Sequence, residues 1–319
     1  MQLTKIQWRL ISYLYQNERK PISEIAKAVK ISRTQAEYNV KKLSEEKIIK
    51  NVLTRVDYSK LGYPCYIFLL LKLNRFSQLK DFTTSLGESK NCISLGKCFG
   101  KYDIFTNLIF RNENEINDYL SIILNNKLIE VSDYLLVKPY LIEFYPLKIL
   151  DSMTFFKPIP LKTDSSPINL DKESIAILKI LGKNANAKIV DIAREVKISP
   201  ELALYKLESL KKSGILLGTK LHLDMKKLGY NYSGFFIHIK NFSIAKLNKI
   251  KSFANQHKMI DGIVLSVTKP NCFLQVFHKT DDELKDVINE VKLLLKDDSF
   301  ELEVLLMEEE EKVNTLPFL

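Results

Sequence analysis

The sequence contains few of the residues that carry redox and metal chemistry. Its 319 residues include four cysteines and four histidines, and the histidines lie only in the second half. There is no Cys-x-x-Cys pair and no histidine spacing typical of a metal-ligand set. We therefore expect packing or surface positions for these side chains, and no metal site, cofactor or catalytic centre built on them. They are Cys65, Cys92, Cys98, Cys272, His222, His238, His257 and His278.

Long apolar runs are also missing. The longest, residues 66–71, is far shorter than the roughly 20 residues that a membrane-spanning helix needs, although 46% of the chain is hydrophobic and 27% is charged. The first residues include Gln2, Lys5 and Arg9 on a helical pattern, which is unlike the continuous apolar segment of a secretory signal. We expect a cytoplasmic protein with no membrane partner.

Acidic residues are outnumbered by basic ones. The chain has 48 lysines and arginines against 38 aspartates and glutamates, for a net charge of +10. Residues 1–160 carry 24 basic and 16 acidic side chains, and residues 161–319 carry 24 and 22. A basic balance favours an acidic partner such as double-stranded DNA. The first half is the better candidate for that contact.

Residues 3–63 are repeated, without a gap, as residues 170–230. A repeat of this length indicates two copies of one domain unit. The offset of 167 aligns Ile25-Ala26 with Ile192-Ala193, Val29-Lys30-Ile31-Ser32 with Val196-Lys197-Ile198-Ser199, and Lys60-Leu61-Gly62-Tyr63 with Lys227-Leu228-Gly229-Tyr230.

The pattern within each repeat predicts a winged helix-turn-helix. Apolar residues at helical spacing over residues 6–14 predict a first helix, and Ser23 is a suitable N-cap for a second. Ser32 and Gln35 have the spacing of a capping box at the start of a third helix, after a turn at residues 30–31. Residues 48–56 then suit a small hairpin, the wing. In the second copy, Ser199-Pro200 supplies a cap followed by proline at the first helical position.

The segment after each winged helix alternates strand and helix patterns in the order βαββαβ, which is the ferredoxin-like arrangement. We expect an α+β protein in which a winged helix-turn-helix and a ferredoxin-like domain occur in tandem. The last strand of the first copy is expected over residues 131–145. The expected domains are residues 1–62, 63–146, 169–229 and 230–319, with a linker at 147–168.

This layout, with its Ile-Ala and Val-x-Ile-Ser turn and a Leu-Gly pair after the wing, resembles the Lrp/AsnC family of prokaryotic feast/famine transcription regulators. The resemblance implies that the winged helix binds DNA and that the βαββαβ domain dimerises and senses a small molecule, often an amino acid. It therefore implies a homodimer, or a self-contained pseudo-dimer within one chain.

The resemblance also implies an effector site. The family tends to have a Gly-x-Tyr-Asp loop between the middle strands of the sensing domain, and Gly100, Tyr102 and Asp103 match it. The alternative is a β-turn closed by the aspartate side chain, with Tyr102 as a packing residue. The second copy has Lys269-Pro270-Asn271 at this place, so its effector site is expected to be altered or lost.

The third helix of the first copy offers candidate DNA contacts. Its N-terminal residues could reach base edges, and its lysines and an arginine of the wing could contact phosphates. The alternative is a solvated basic face. The candidates are Arg33, Thr34, Gln35, Tyr38, Lys41, Lys42 and Arg55 in the first copy, with Lys206 and Lys211 in the second.

The second copy has an acidic and apolar leading edge, Glu201-Leu202-Ala203-Leu204, where the first has Thr34-Gln35-Ala36-Glu37. Its helix is therefore either mainly structural or a weaker, phosphate-only contact.

The same layout also resembles that of porphyrin-pathway decarboxylases, which are related to these regulators. Their His-Asn-Tyr-type strand is not found, since the corresponding regions read Asn91-Cys92-Ile93-Ser94 and Ile260-Asp261-Gly262-Ile263. We expect a transcription regulator. The alternative is a ligand-sensing or protein-interaction module that has lost sequence-specific DNA binding.

Overall fold

The structure is a computed structural model that describes residues 3–17, 20–126, 130–145, 147–150, 159–161, 165–241, 243–308 and 312–319. Part of the expected linker, including Pro158, therefore lies outside the described residues. The model divides the chain into two compact units. We call them the winged-helix unit (Met1–Gly62, Ser165–Leu228 and Asn314–Leu319) and the sheet unit (Tyr63–Asp164 and Gly229–Val313).

The winged-helix unit contains both copies of the repeat. The first copy comprises α1 (Lys5–Asn17), α2 (Ile22–Val29), α3 (Arg33–Glu45) and β1 (Ile49–Val56). The second copy comprises α6 (Lys172–Lys183), α7 (Ile189–Val196), α8 (Pro200–Lys212) and β8 (Leu216–Leu223).

The sheet unit contains both βαββαβ segments. The first comprises β2 (Cys65–Leu73), α4 (Leu79–Glu88), β3 (Cys92–Phe99), β4 (Ile104–Phe110), α5 (Glu113–Leu124), β5 (Val131–Val137), β6 (Pro139–Phe144) and β7 (Ile159–Leu161). The second comprises β9 (Asn231–Ile239), α9 (Ile244–Gln256), β10 (Ile260–Ser266), β11 (Cys272–His278), α10 (Asp281–Leu294), β12 (Phe300–Met307) and β13 (Lys312–Val313).

The helix-turn-helix geometry follows from caps that the sequence encodes locally. Ser32 accepts a hydrogen bond from the Gln35 N–H while the Gln35 side chain accepts from the Ser32 N–H, which confirms the capping box. Ser199 caps α8 by accepting a hydrogen bond from the Leu202 N–H, without a reciprocal side-chain bond, and Pro200 lies in the first turn. The predicted cap at Ser23 is wrong, because the N-cap of α2 is Pro21, two residues earlier, and no side chain caps the helix.

The predicted wing hairpin is also wrong. In place of a hairpin within each copy, β1 pairs antiparallel with β8 of the other copy. Leu53 lies opposite Lys220, which is its own counterpart at the offset of 167, so equivalent positions meet at the centre of the ribbon. A lone strand must find a partner for its backbone groups, and the duplicated strand supplies one.

A second pair of equivalent contacts links the two copies. Lys60 Nζ donates to the carbonyl of Ser213 at the C-terminal cap of α8. Its counterpart Lys227 Nζ donates to the carbonyl of Glu46, the C-cap of α3, at 2.8 Å. A cation at a helix C-terminus satisfies an unpaired carbonyl and opposes the negative end of the helix dipole. The lysine of the Lys-Leu-Gly-Tyr repeat thus stabilises the third helix of the other copy. In a helix-turn-helix this helix, α3 or α8 here, is called the recognition helix.

The strands of the sheet unit are shared between the copies at both ends. Within the copies the strand orders are β5-β2-β4-β3 and β12-β9-β11-β10. The predicted strand over 131–145 is broken at Lys138, since β5 pairs with β2 whereas β6 pairs with β10 of the second copy. Reciprocally, β13 pairs with β3 of the first copy. The expected linker also contributes a strand, because β7 pairs with β6.

Each βαββαβ segment has its own apolar core, and a third cluster joins them. This shared cluster contains Phe68 and Phe105 of the first segment with Phe236, Phe273 and Leu305 of the second. The Phe236 and Phe273 rings lie 4.8 Å apart, and Phe68 lies 5.1 Å from Phe273. Burial of aromatic rings stabilises the association of the two segments. No helix in the described part of the chain is long and apolar enough to cross a membrane.

Candidate nucleic-acid interface

The outward face of α3 presents polar and basic side chains to solvent. Ala36 and Leu43 are buried in the core, which leaves Arg33, Thr34 and Tyr38 exposed on the opposite side, with Tyr38 64% exposed. The 3.6-residue period of the helix produces this separation.

Two side chains at the start of α3 already have partners within the helix. Gln35 has its side-chain oxygen engaged in the capping box, at 3.1 Å from the Ser32 nitrogen. Arg33 Nε donates to Glu37 at 2.8 Å, and a guanidinium retains further donors for another acceptor.

The lysines of α3 are only loosely associated with their acidic neighbours. Lys41 Nζ lies 3.6 Å from Glu45, and Lys42 Nζ lies 3.9 Å from Glu46. These distances exceed those of a direct N–H···O hydrogen bond. Both ammonium groups can therefore turn toward a phosphate without breaking a hydrogen bond. Arg55 differs, because it is half-buried on β1 opposite Gly218.

The candidate cations of α8 are held inside the protein's own ion pairs. Lys206 bonds directly to Asp171, the N-cap of α6, and Lys211 bonds to Glu208 at 2.7 Å. The hydrogen bond from Lys206 and that from the Ser174 backbone lower the pKa of Asp171 to about 2. The bond to Asp171 raises the pKa of Lys206. The structure thus separates Lys206 and Lys211 from the candidates on α3.

Positive charge is concentrated in the winged helices. Residues 3–62 carry 13 basic and 6 acidic side chains, and residues 170–229 carry 12 and 7. The rest of the chain is slightly acidic, with 23 basic and 25 acidic side chains. Comparison of the two halves of the chain did not reveal this division. It also missed Lys30, which is exposed in the left-handed turn just before α3.

The Gly100–Asp103 loop of the sheet unit is tied into the fold. Asp103 accepts hydrogen bonds from the Leu73 N–H and from Lys72 Nζ, both at 2.9 Å. Tyr102 is 2% exposed and belongs to the shared core, where burial raises its pKa. Gly100 is exposed, with a φ of +125° that side chains rarely adopt.

The second copy repeats the Asp103 arrangement with an amide. Asn271 accepts from the Ile239 N–H at 3.0 Å and donates to the Ile239 carbonyl at 2.8 Å. Asp103 and Asn271 therefore both connect the start of a middle strand to the end of the first strand. This shared role is structural, but it is not that of a local β-turn, because the Asp103 side chain bonds to residues of β2.

An open cleft of about 510 Å³ lies beside Tyr102, within the sheet unit. Basic and acidic side chains face it together, and Lys101 lies 3.9 Å from Asp133. The ring nitrogen Nδ1 of His238 is buried there without a hydrogen-bond partner. The lining residues are Lys101, Tyr102, Asp133, Tyr134, Leu135, Phe236, His238, Lys269, Pro270, Glu301, Leu302 and Glu303.

The cysteines and histidines have structural positions. All four cysteines are buried and none forms a disulfide, and burial, with Asp103 nearby, raises the pKa of Cys98 to about 12. His222 on β8 contacts Asn51 on β1 at 3.0 Å, and burial next to Lys50 and Lys220 lowers its pKa to about 4. Across the described residues, no group of three or more His, Cys, Asp or Glu side chains could hold a metal ion.

Comparison with known proteins agrees with the repeat. A family model described as winged helix-turn-helix DNA-binding matches residues 3–50 and 170–216. The chain is 24% identical over 121 residues to the HTH-type transcriptional regulator FL11 of Pyrococcus horikoshii. This alignment covers 38% of this chain and 80% of FL11. It is 28% identical over 120 residues to the regulatory protein AsnC of Haemophilus influenzae, covering 38% and 79%.

A solved structure matches almost the whole chain. Its superposition on the siroheme decarboxylase NirDL covers 98% of this chain and 96% of NirDL, with a TM-score of 0.63 and 17% sequence identity. At this identity the likeness establishes the tandem fold alone. The two sequence matches each span about 120 residues, less than half of this chain, whereas the winged-helix model matches at both copies. The chain therefore carries two winged helix-turn-helix units in tandem, and its sequence relatives include regulators of the Lrp/AsnC type.

Proposed function

We propose that this chain is a DNA-binding transcription regulator in which the first winged helix makes the principal DNA contact. The observation that carries the proposal is the difference between the two recognition helices. The exposed face of α3 is polar and keeps its lysines available, whereas Lys206 and Lys211 of α8 are bonded to acidic partners. The similarity to regulators of the Lrp/AsnC type and the net charge of the winged helices support the same conclusion.

In this proposal the residues of α3 have two roles. Arg33, Thr34 and Tyr38, with Gln35 as their capping neighbour, face base edges from the N-terminal half of the helix. Lys41 and Lys42 contact phosphates, and Arg55 contributes from the ribbon. The second copy acts mainly by pairing with the first, so that one chain forms a pseudo-dimer through β1 and β8.

The test is a matched pair of lysine variants on the two recognition helices. Each contact between a lysine and a phosphate contributes about one unit to the slope of log K against log salt. Lys42→Ala is expected to weaken binding to all duplexes and to reduce the slope by about one unit. Lys211→Ala, the control on α8, is expected to leave the affinity for DNA and the salt slope unchanged. Fluorescence anisotropy at several salt concentrations measures the slopes, and equal slopes for Lys42→Ala and the unmodified protein would contradict the proposal.

Ligand sensing is the second candidate function, and the cleft beside Tyr102 favours it. Its opposite charges suit a zwitterionic molecule such as an amino acid. Because Asp103 is tied to Leu73 and Lys72, we place the ligand contacts at Lys101 and the cleft, with Gly100 providing close backbone approach.

Thermal-shift measurements of the full chain with each of the L-amino acids test this assignment. A stabilising amino acid whose effect is lost in Lys101→Ala, and kept in Lys258→Ala outside the cleft, is the expected result. No shift with any amino acid would contradict sensing of this class.

We also propose that the chain is not an enzyme, despite the likeness of its fold to the decarboxylase. Residues 91–94 and 260–263 lack the histidine-containing strand of that group of enzymes. Incubation with siroheme followed by mass spectrometry is expected to return the substrate unchanged. A decarboxylated product would overturn this part of the proposal.

A further inference from the structure

The recognition helix of the second copy has an apolar surface that the first copy lacks. Leu202 is 39% exposed and Leu204 49%, and they lie beside Tyr205, which has an exposed counterpart, Tyr38, on α3. At the offset of 167, Leu202 and Leu204 replace Gln35 and Glu37 of α3. Apolar side chains offer little to phosphates or to the polar edges of bases. A cluster of them on an exposed helix is typical of a protein contact.

Three of the five charged side chains of α8 lie along one line of the helix. Ala203, Leu207 and Leu210 are buried, so the 3.6-residue period places Glu201, Tyr205, Glu208 and Lys212 along the outermost line. This line is acidic at its N-terminal end and basic at its C-terminal end. Leu202 and Leu204 flank it on either side of Tyr205.

Such a line is complementary to a copy of itself in the antiparallel direction. When two α8 helices cross about the midpoint of the line, Glu201 of each lies opposite Lys212 of the other, and Tyr205 lies opposite Glu208. The same residue pairs then occur twice, as in any isologous two-fold interface. The corresponding line on α3 is Thr34, Tyr38, Lys41 and Glu45, which gives no ion pair at its ends.

We propose that the outward face of α8 is a docking surface for a second copy of this chain, which binds through its own α8 in an antiparallel, two-fold arrangement. The charge complementarity between two antiparallel copies of α8 is the reason for assigning a second copy of the chain as the partner. The docking does not depend on DNA binding. If the proposed function holds, the dimer presents two copies of α3, one from each chain, and the symmetry that the unequal copies lack is recovered. An interface built on one helix face is at the small end of specific contacts, so the association is weak.

Charge-exchange variants of the full chain, studied by sedimentation equilibrium, test the proposal. The unmodified chain is expected to dimerise with a dissociation constant in the micromolar range, on the order of weak specific complexes. Glu201→Lys and Lys212→Glu each place like charges opposite one another twice, and each is expected to weaken the dimer about tenfold. The double variant restores opposite charges and is expected to return within about threefold of the original affinity.

Control variants separate this result from misfolding and from dimerisation elsewhere. Thr34→Lys, the counterpart of Glu201→Lys on α3, is expected to leave the dimer unchanged. All of these positions are exposed, and circular dichroism is expected to be unchanged. A monomer at all concentrations would overturn the proposal, as would a dimer that the single variants do not weaken. Loss of DNA affinity in Tyr205→Ala, with no dimer formed, would identify α8 as a DNA-reading helix instead.

Discussion

The reciprocal lysine contacts make a quantitative prediction about what holds the two winged helices together. Lys60→Met and Lys227→Met each remove one bond to the end of the other copy's recognition helix while keeping most of the aliphatic stem. Lys60 is half-buried, and Lys227 is exposed. The two positions are equivalent in the repeat but differ in burial. The experiment therefore measures how burial changes the contribution of the lysine bond to the free energy of unfolding.

The expected magnitudes follow from the surroundings of each ammonium group. A partly buried bond from a charged donor contributes about 1.5 kcal/mol to the free energy of unfolding. An exposed cation at a helix C-terminus contributes about 0.5 kcal/mol. With an urea m-value of about 2 kcal/mol per molar, the unfolding midpoint should fall by about 0.8 M for Lys60→Met and about 0.3 M for Lys227→Met. Because the contacts share no partner, the double variant should show the sum.

The chain provides its own probe for this measurement. Trp8 is its only tryptophan and lies on α1 of the winged-helix unit, so its fluorescence reports on unfolding of that unit. Gly214 follows the cap of α8 with a φ of +70°, and a Cβ there would lie 2.8 Å from Lys60 Nζ, so Gly214→Ala should lower the midpoint by more than Lys60→Met, because backbone strain adds to the lost bond. The reasoning is refuted if Lys60→Met does not lower the midpoint, or if Lys227→Met lowers it more.

Three further predictions concern other contacts. Ser32→Ala removes half of the capping box and should cost about 1 kcal/mol of stability, read from the urea midpoint of Trp8 fluorescence, while Ser32→Asn should be nearly neutral. The pKa of His222 is lowered to about 4 from an ordinary value of 6.5, so the unfolded chain takes up a proton at a higher pH than the folded one. Stability should therefore be complete above about pH 6.5 and fall by about 1 to 2 kcal/mol toward pH 5, and His222→Asn should reduce that fall; identical pH profiles would contradict the assignment. Asp103→Asn should be nearly neutral in calorimetry, because Asn271 fills the equivalent role, whereas Asp103→Ala should cost about 1 to 2 kcal/mol.

The elements themselves could be predicted because their signals are local. Ser32 with Gln35, and Ser199 with Pro200, specify helix starts within a few residues, and both starts are present in the structure. The candidate contacts that the sequence indicates at the start of α3, Arg33, Thr34 and Tyr38, are also exposed in the structure. In these places the local preference and the final fold agree, as is usual for natural sequences.

The pairings between copies could not be predicted, because a strand pattern does not specify its partner. Residues 49–56 suit a hairpin as well as a ribbon with β8, and only the presence of the second copy decides between them. The break between β5 and β6 has the same origin, since the two halves pair with different copies.

The candidate site shows the same limit. Lys206 is basic in the sequence, but its partner Asp171 is 35 residues away, so the ion pair that occupies it is visible only in three dimensions. Asp103 matched a loop motif, but its bonds to Leu73 and Lys72 depend on how distant strands are placed.

The central claim is that the chain binds DNA in a sequence-specific way, principally through its first winged helix. The most direct test is a fluorescence-anisotropy titration of the full chain against its own upstream DNA and against a scrambled duplex of the same composition, at two salt concentrations. Our account predicts tighter binding to the native fragment, with a preference that persists at the higher salt, because base contacts add to the salt-sensitive phosphate contacts. Equal binding to both duplexes that disappears at the higher salt, or no binding to either, would contradict it.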